Sequence, residues 1–296
     1  MQQLPIVFHA QGVPLVGRLF RDTTSFEARP AVLVMGSWLT VKEQMASLYA
    51  RRLVERGYTA FVFDFSGFGE SQGAPRQTEM PARKIEDIIA AAKFLRTLAC
   101  VDPERVGAVA ICASAQYTLA ALASGAGLRS WASVAGWFHD PASVAGFYGG
   151  ESGVAERLSR ARAAVERYVS TGELGLVPAY APGDERAGMS FELDYYGSAE
   201  RGALPAWKNE MSELTWLYWL GFDGLRWAAQ VATPSLFVHS DGCVFPEHVR
   251  RVHAAVRGPK RLAWGDGGQI DYYDQPSAVG RAIDAIAGWF DETLRP

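Results

Sequence analysis

Val106-Gly-Ala-Val-Ala-Ile-Cys-Ala-Ser-Ala-Gln-Tyr-Thr118 decides the architecture, because in it an apolar strand runs directly into a helix with a cysteine at the junction. Ala110 stands two residues before Cys112 and Ser114 two residues after it. A strand-to-helix turn tight enough to present a nucleophile brings its flanking backbones nearly into contact, so those two positions need small side chains. Alanine and serine are imperfect substitutes for the glycine usual there, but centring the turn on Ser114 would put Gln116 at a small position, a poorer fit. Cys112 is therefore the candidate nucleophile, at a helix N-terminus whose amides and dipole favour a thiolate. Its plainer alternative is a buried small thiol.

Outward from this turn the chain alternates. Strand-like runs at residues 6–9 and 14–20 precede an apolar run at 31–35, suited to burial on both faces. Residues 41–56 carry helical spacing of Met45, Leu48 and Leu53, with Gly57 at the C-cap position. A buried strand at 58–65 enters a glycine-rich turn, then come a helix over 82–98, the elbow strand at 105–111 and a further strand at 130–137. From about 139 to 228 the rhythm breaks into helix-like pieces such as 155–169, Gly/Pro-rich loops and the aromatic stretch 207–222. It resumes with a strand at 235–239, a helix at 246–256, a strand at 261–264 and a final helix at 277–294. Strands alternating with helices predict an α/β fold: a doubly wound, mostly parallel sheet with an inserted, mainly helical cap. The corresponding divisions are 1–138, 139–228 and 229–296.

Composition narrows the partners. The 296 residues are 49% hydrophobic and 21% charged, ordinary for a globular chain, and the formal charge of -3 offers no basic field for nucleic acid. No run of about 18 apolar residues suggests a membrane span. The first residues lack the cationic start and apolar stretch of a secretory signal, so a cytoplasmic protein is expected. Cys100, Cys112 and Cys243 have no CxxC spacing and read as independent thiols. There is no phosphate loop, dinucleotide fingerprint or metal cluster, so neither cofactor nor metal is expected. The expected partner is a small molecule, with a homodimer left open.

Gly36-Ser-Trp-Leu-Thr-Val-Lys-Glu-Gln44, Asp64-Phe-Ser-Gly-Phe-Gly-Glu-Ser71 and the Ile-Cys-Ala-Ser elbow resemble the α/β-hydrolase superfamily, in particular its dienelactone-hydrolase-like or X-Pro-peptidase-like bacterial members. The resemblance extends over almost the whole chain. It implies action on an ester, thioester, lactone or related carbonyl compound, with a nucleophile, a later acid and a histidine in that chain order. Cys112 matches the nucleophile and Asp241 the acid; Asp241 reads equally as a solvated residue of a Ser-Asp-Gly turn. The stretch Trp264-Gly-Asp-Gly-Gly-Gln-Ile-Asp-Tyr-Tyr-Asp274 contains no histidine, and Gln269 stands at the expected place of the base. Glutamine donates and accepts hydrogen bonds but cannot take up a proton near neutral pH. Hydrolysis is thus in question, and acyl transfer, cyclisation, elimination, isomerisation or ligand binding without chemistry are the alternatives.

The resemblance implies an oxyanion hole built from the amides of Ala113 and of Ser37 or Trp38, with Trp38 also able to wall the pocket. Among the five histidines, His139 lies at the sheet edge where functional loops collect and is the candidate for lining the pocket, against a merely solvated residue. His239 is expected to be buried in its strand. Trp137 is a further pocket candidate. Among the cap aromatics Tyr195, Tyr196, Trp207, Trp216, Tyr218 and Trp219, Trp216 and Tyr196 are singled out, and about two of the six should face the pocket, the rest forming cap core. Such a lining would suit an apolar or aromatic substrate. Asp274, just before Gln-Pro, reads as a cap for the last helix.

Overall fold

The computed structural model describes residues 1–23 and 27–294. Two antiparallel strands, β1 (Gln2–Ala10) and β2 (Val13–Arg21), lead into a parallel series. The series is β3 (Arg29–Met35), β4 (Thr59–Phe63), β5 (Val101–Ile111), β6 (Ser130–Val134), β9 (Ser235–Gly242) and β10 (Lys260–Gly268). Together the eight strands form one sheet in the order β1-β2-β4-β3-β5-β6-β9-β10. The middle strands are largely apolar because both faces are covered: every residue of β4 and β6 is buried. The helices on the sheet faces are α1 (Met45–Glu55), α2 (Pro81–Leu95), α3 (Ser114–Ala123), α8 (Pro246–Ala255) and α10 (Pro276–Thr293). The sheet is thus doubly wound and mostly parallel. Among the described residues no helix is long and apolar enough to cross a membrane.

Several boundaries differ from the sequence expectation for local reasons. Residues 41–44 form a turn before α1, since Gln44 Oε1 accepts from Val41 N–H at 2.9 Å and Gln44 N–H returns to Val41 O. Gly57, at φ +87°, closes α1 by donating to Val54 O. β6 ends at Val134 because Ala135 turns to φ +44°. Asp274 does not cap α10: its carboxylate takes a bidentate bond from Arg201 at 2.7 and 2.6 Å. A forked guanidinium outcompetes a single backbone amide for that carboxylate.

Between β6 and β9 the chain forms α4 (Pro141–Ala145), α5 (Gly150–Thr171), a two-stranded ribbon of β7 (Leu176–Val177) and β8 (Met211–Ser212), α6 (Asp194–Gly197) and α7 (Thr215–Trp219). This cap segment is tied to the core by polar contacts. Besides the Arg201–Asp274 pair, Gln44 Nε2 donates to Gly202 O at 2.6 Å, Met45 N–H to Tyr195 OH at 3.0 Å and Trp207 Nε1 to Leu39 O at 2.9 Å.

The glycine-rich turn at 64–71 is built around one carboxylate. Asp64 is buried and accepts from Lys42 N–H, the Lys42 ammonium and Glu70 N–H at 2.8, 2.7 and 3.0 Å. Gly69 has φ +47°, and a Cβ there would fall 2.2 Å from Asp64 Oδ2, so the turn admits no side chain.

Candidate active site

At the end of β5 the backbone reverses at Cys112 with φ +57°, a left-handed conformation that a cysteine adopts only under constraint. The constraint is visible on both sides. Cys112 N–H donates to Val134 O, while its carbonyl accepts from Ala115 and Trp137 N–H, each at 3.0 Å. Ser114 bends its hydroxyl back onto Ile111 O at 3.0 Å and Met35 O at 3.2 Å, so a serine at this close position adds a tether to β3.

The Cys112 thiol is buried beneath a cavity of about 200 Å³. Ser37, Gln269 and Tyr273 line the same cavity as the thiol, and together with the Ala113 N–H they are the polar groups that favour its ionised form. Burial pushes the thiol above its ordinary range, and these four groups act against that push. Ser37 Oγ and Tyr273 OH lie 3.1 Å apart, and Gln269 Nε2 reaches Tyr273 OH at 3.3 Å. Gln269 is held at both ends of its amide: Nε2 donates to Ala135 O at 2.8 Å, and Oε1 accepts from Val244 N–H at 3.1 Å. Two hydroxyls and an amide therefore form one connected cluster in the cavity that covers the thiol.

β10 and the short helix α9 (Asp271–Asp274) place Gln269 and Tyr273 together. Asp271 accepts from Gly268 N–H at 2.7 Å, closing the turn, and Tyr49 OH in α1 fixes Tyr272 O at 2.7 Å. Gln269 lies in the turn that joins β10 to α9, and that turn brings its side chain back to Tyr273 in the helix.

The rest of the cavity wall is apolar. Trp38 and Trp137 come from the core loops, and Phe147, Phe191, Tyr196 and Trp219 from the cap segment. Of the six cap aromatics considered, Tyr196 and Trp219 line the cavity. Trp216 stands behind, its ring 6.1 Å from that of Trp38 and 4.9 Å from that of Tyr148. Trp38 stacks obliquely on Trp219 at 5.0 Å.

His139 is not at the cavity and not in solvent either. It is wholly buried, accepts from Trp137 Nε1 at 2.7 Å on Nδ1, and meets Trp219 O at 3.0 Å with Nε2. Since the indole can only donate, the imidazole proton must sit on Nε2. Burial lowers its pKa to about 4, so the ring is neutral at pH 7. Both nitrogens are thereby used in holding two tryptophans of the cavity wall. His239 is likewise buried in β9.

Asp241 is not brought to the cluster. Its carboxylate is exposed and pairs with Arg250 Nη2 at 2.7 Å, so it is a solvated residue at the exposed end of β9. The physical reason lies at position 269: a neutral amide offers no positive charge to offset the desolvation of a buried carboxylate. The residues that sequence reasoning passed over are Tyr273 and the apolar Phe147, Tyr148, Met189, Phe191, Leu193, Val244 and Ile270.

Comparison with known proteins agrees with this architecture. Residues 16–145 match the Dienelactone hydrolase family. The uncharacterized protein PA2218 of Pseudomonas aeruginosa is 31% identical over 276 residues, covering 90% of this chain and 73% of that protein. Its crystal structure superposes with a TM-score of 0.83 at 25% identity, over 99% of this chain and 94% of the other. Shorter matches join the chain to the polyketide transferase claH of Penicillium crustosum, 33% identical over 114 residues, 38% of this chain and 37% of that one. The thiohydrolase aneE of Aspergillus aculeatus is 34% identical over 96 residues, 32% of this chain and 29% of that one. From the doubly wound sheet, the left-handed residue at the elbow and these matches, the chain belongs to the α/β-hydrolase superfamily, as a dienelactone-hydrolase-like hydrolase-fold protein.

Proposed function

We propose that the protein is an acyl-transfer enzyme in which Cys112 accepts the acyl group of an apolar ester or thioester and passes it to a hydroxyl, amine or thiol acceptor. One observation carries this reading: the thiol sits at the left-handed elbow beneath an apolar cavity whose polar lining groups are Ser37, Tyr273 and Gln269, with no imidazole or carboxylate in that lining. In the first step the sulfur forms a C–S bond to the acyl carbon, and the leaving thiol or alcohol departs with the proton that Cys112 loses. In the second, the acceptor's heteroatom bonds the acyl carbon, the C–S bond breaks and the acceptor's proton returns to sulfur. Release to water needs a base to activate that water, and Gln269 cannot serve. An acceptor held in the cavity next to the acyl group gains instead from proximity. The amides of Ala113 and of Ser37 or Trp38 would hold the oxyanion. Support also comes from the names of two partial relatives, a polyketide transferase and a thiohydrolase.

The test is intact-protein mass spectrometry after exposure to a panel of S-phenyl thioesters. A persistent acyl adduct is expected in the native protein and none in Cys112→Ala, with the adduct discharged faster by added alcohols or thiols than by water. Turnover without any adduct, undiminished in Cys112→Ala, would favour non-covalent catalysis. Neither adduct nor turnover would favour a ligand-binding protein.

A further inference from the structure

Glu79 lies outside the cavity, is fully buried, and gathers donors from three separate parts of the core. Its carboxylate accepts from Leu39 N–H at 3.2 Å, from the Lys84 ammonium of α2 at 2.8 Å and from Tyr117 OH of α3 at 2.7 Å. Its own N–H donates to Thr215 Oγ1, at the start of α7 in the cap segment, at 3.0 Å. Lys84 is buried too, with its ammonium 4.5 and 4.6 Å from the ring centres of Phe65 and Phe68.

A buried ion pair of this kind contributes little net stability compared with a well-packed apolar pair, because desolvation offsets the attraction. Its place in the fold suggests a different role. Leu39 has φ +58°, a conformation that is unfavourable for a non-glycine residue and persists only where its surroundings impose it. Glu79 fixes the Leu39 N–H, Trp207 of the cap segment fixes the Leu39 carbonyl at 2.9 Å, and Thr40 Oγ1 fixes Ser37 O at 2.7 Å. The amides expected to complete the oxyanion hole belong to the two residues just before Leu39.

We propose that Glu79 is a positioning residue that sets the amide geometry of residues 37–39 and, through Thr215, couples that geometry to the seated cap segment. The inference rests on reading Cys112 as an acyl acceptor. An acyl transfer passes through an oxyanion and depends on those amides, whereas alkylation of the same thiol does not.

That contrast supplies the test. Cys112 is modified in parallel by an S-phenyl thioester of a short fatty acid and by iodoacetamide, and both adducts are followed by intact mass. Glu79→Gln and Thr215→Val are each expected to slow acylation about ten- to hundredfold, against the 10²–10³ typical for outright loss of one oxyanion donor. The thioester concentration giving half-maximal rate should hold, and iodoacetamide labelling should change less than about twofold. Thr215→Val leaves the Glu79–Lys84 pair intact, so the test survives if Glu79→Gln fails to fold. Unchanged acylation in Thr215→Val, or equal slowing of both probes, overturns the positioning role. A native protein that takes iodoacetamide but no acyl group overturns the acyl-acceptor reading itself, and the positioning role falls with it.

Discussion

At the scale of single residues, the candidate site turns on how a thiol is held without a base. Burial raises the Cys112 thiol while Ser37, Tyr273, Gln269 and the Ala113 amide lower it. The thiolate population should therefore grow as pH rises through and beyond the ordinary thiol range near 8.5, and the acylation rate with it. Tyr273→Phe removes one of the lowering hydroxyls and should move the pH–rate profile upward, with acylation at pH 7 about fivefold slower, as for one hydrogen bond of about 1 kcal/mol. A profile that peaks near neutrality, or one that Tyr273→Phe leaves in place, contradicts this account. Cys112 and its small neighbours were readable from sequence because an elbow imposes a local spacing. Asp241 was not, since its Arg250 partner competes in space for the carboxylate.

At the scale of elements, amphipathic patterning carried most of the information. In α10 the residues Ala278, Val279, Ala282, Ile283, Ile286, Ala287, Trp289 and Phe290 are buried at helical spacing against the sheet. Phe290 is fully buried and meets the Tyr58 ring edge-on at 5.9 Å, so Phe290→Ala should cost about 3–5 kcal/mol in urea unfolding. The exposed Glu292, two residues on and paired with Arg261 at the surface, should cost less than about 1 kcal/mol on the same change. Comparable losses for the two would mean that α10 does not dock as described. Boundaries such as 41–44 and the end of β6 were less legible, because single side-chain bonds and left-handed residues set them.

At the scale of the whole molecule, the buried histidines predict an acid limit. Burial lowers both His139 and His239 to about 4, whereas an unfolded histidine titrates near 6.5. The unfolded chain therefore binds more protons between these values, so stability is complete above about pH 6.5 and declines as pH falls toward 4. Burial raises Asp64 and Asp87, which acts in the opposite sense closer to the carboxylate range, so the histidine effect is read between pH 7 and 5. The urea midpoint should fall over that interval, and His239→Phe should flatten its share of the slope; a level midpoint contradicts both burials. The sequence by itself determined the strand–helix alternation, the elbow at Cys112 and the missing imidazole at position 269, because each is set by local spacing or by residue identity. Only the tertiary structure decided that Gln269 and Tyr273 join Ser37 at the thiol, that His139 serves the tryptophans of the wall, and that Asp241 stays in solvent. Those outcomes depend on which groups, far apart in the chain, win the competition for each hydrogen bond and charge.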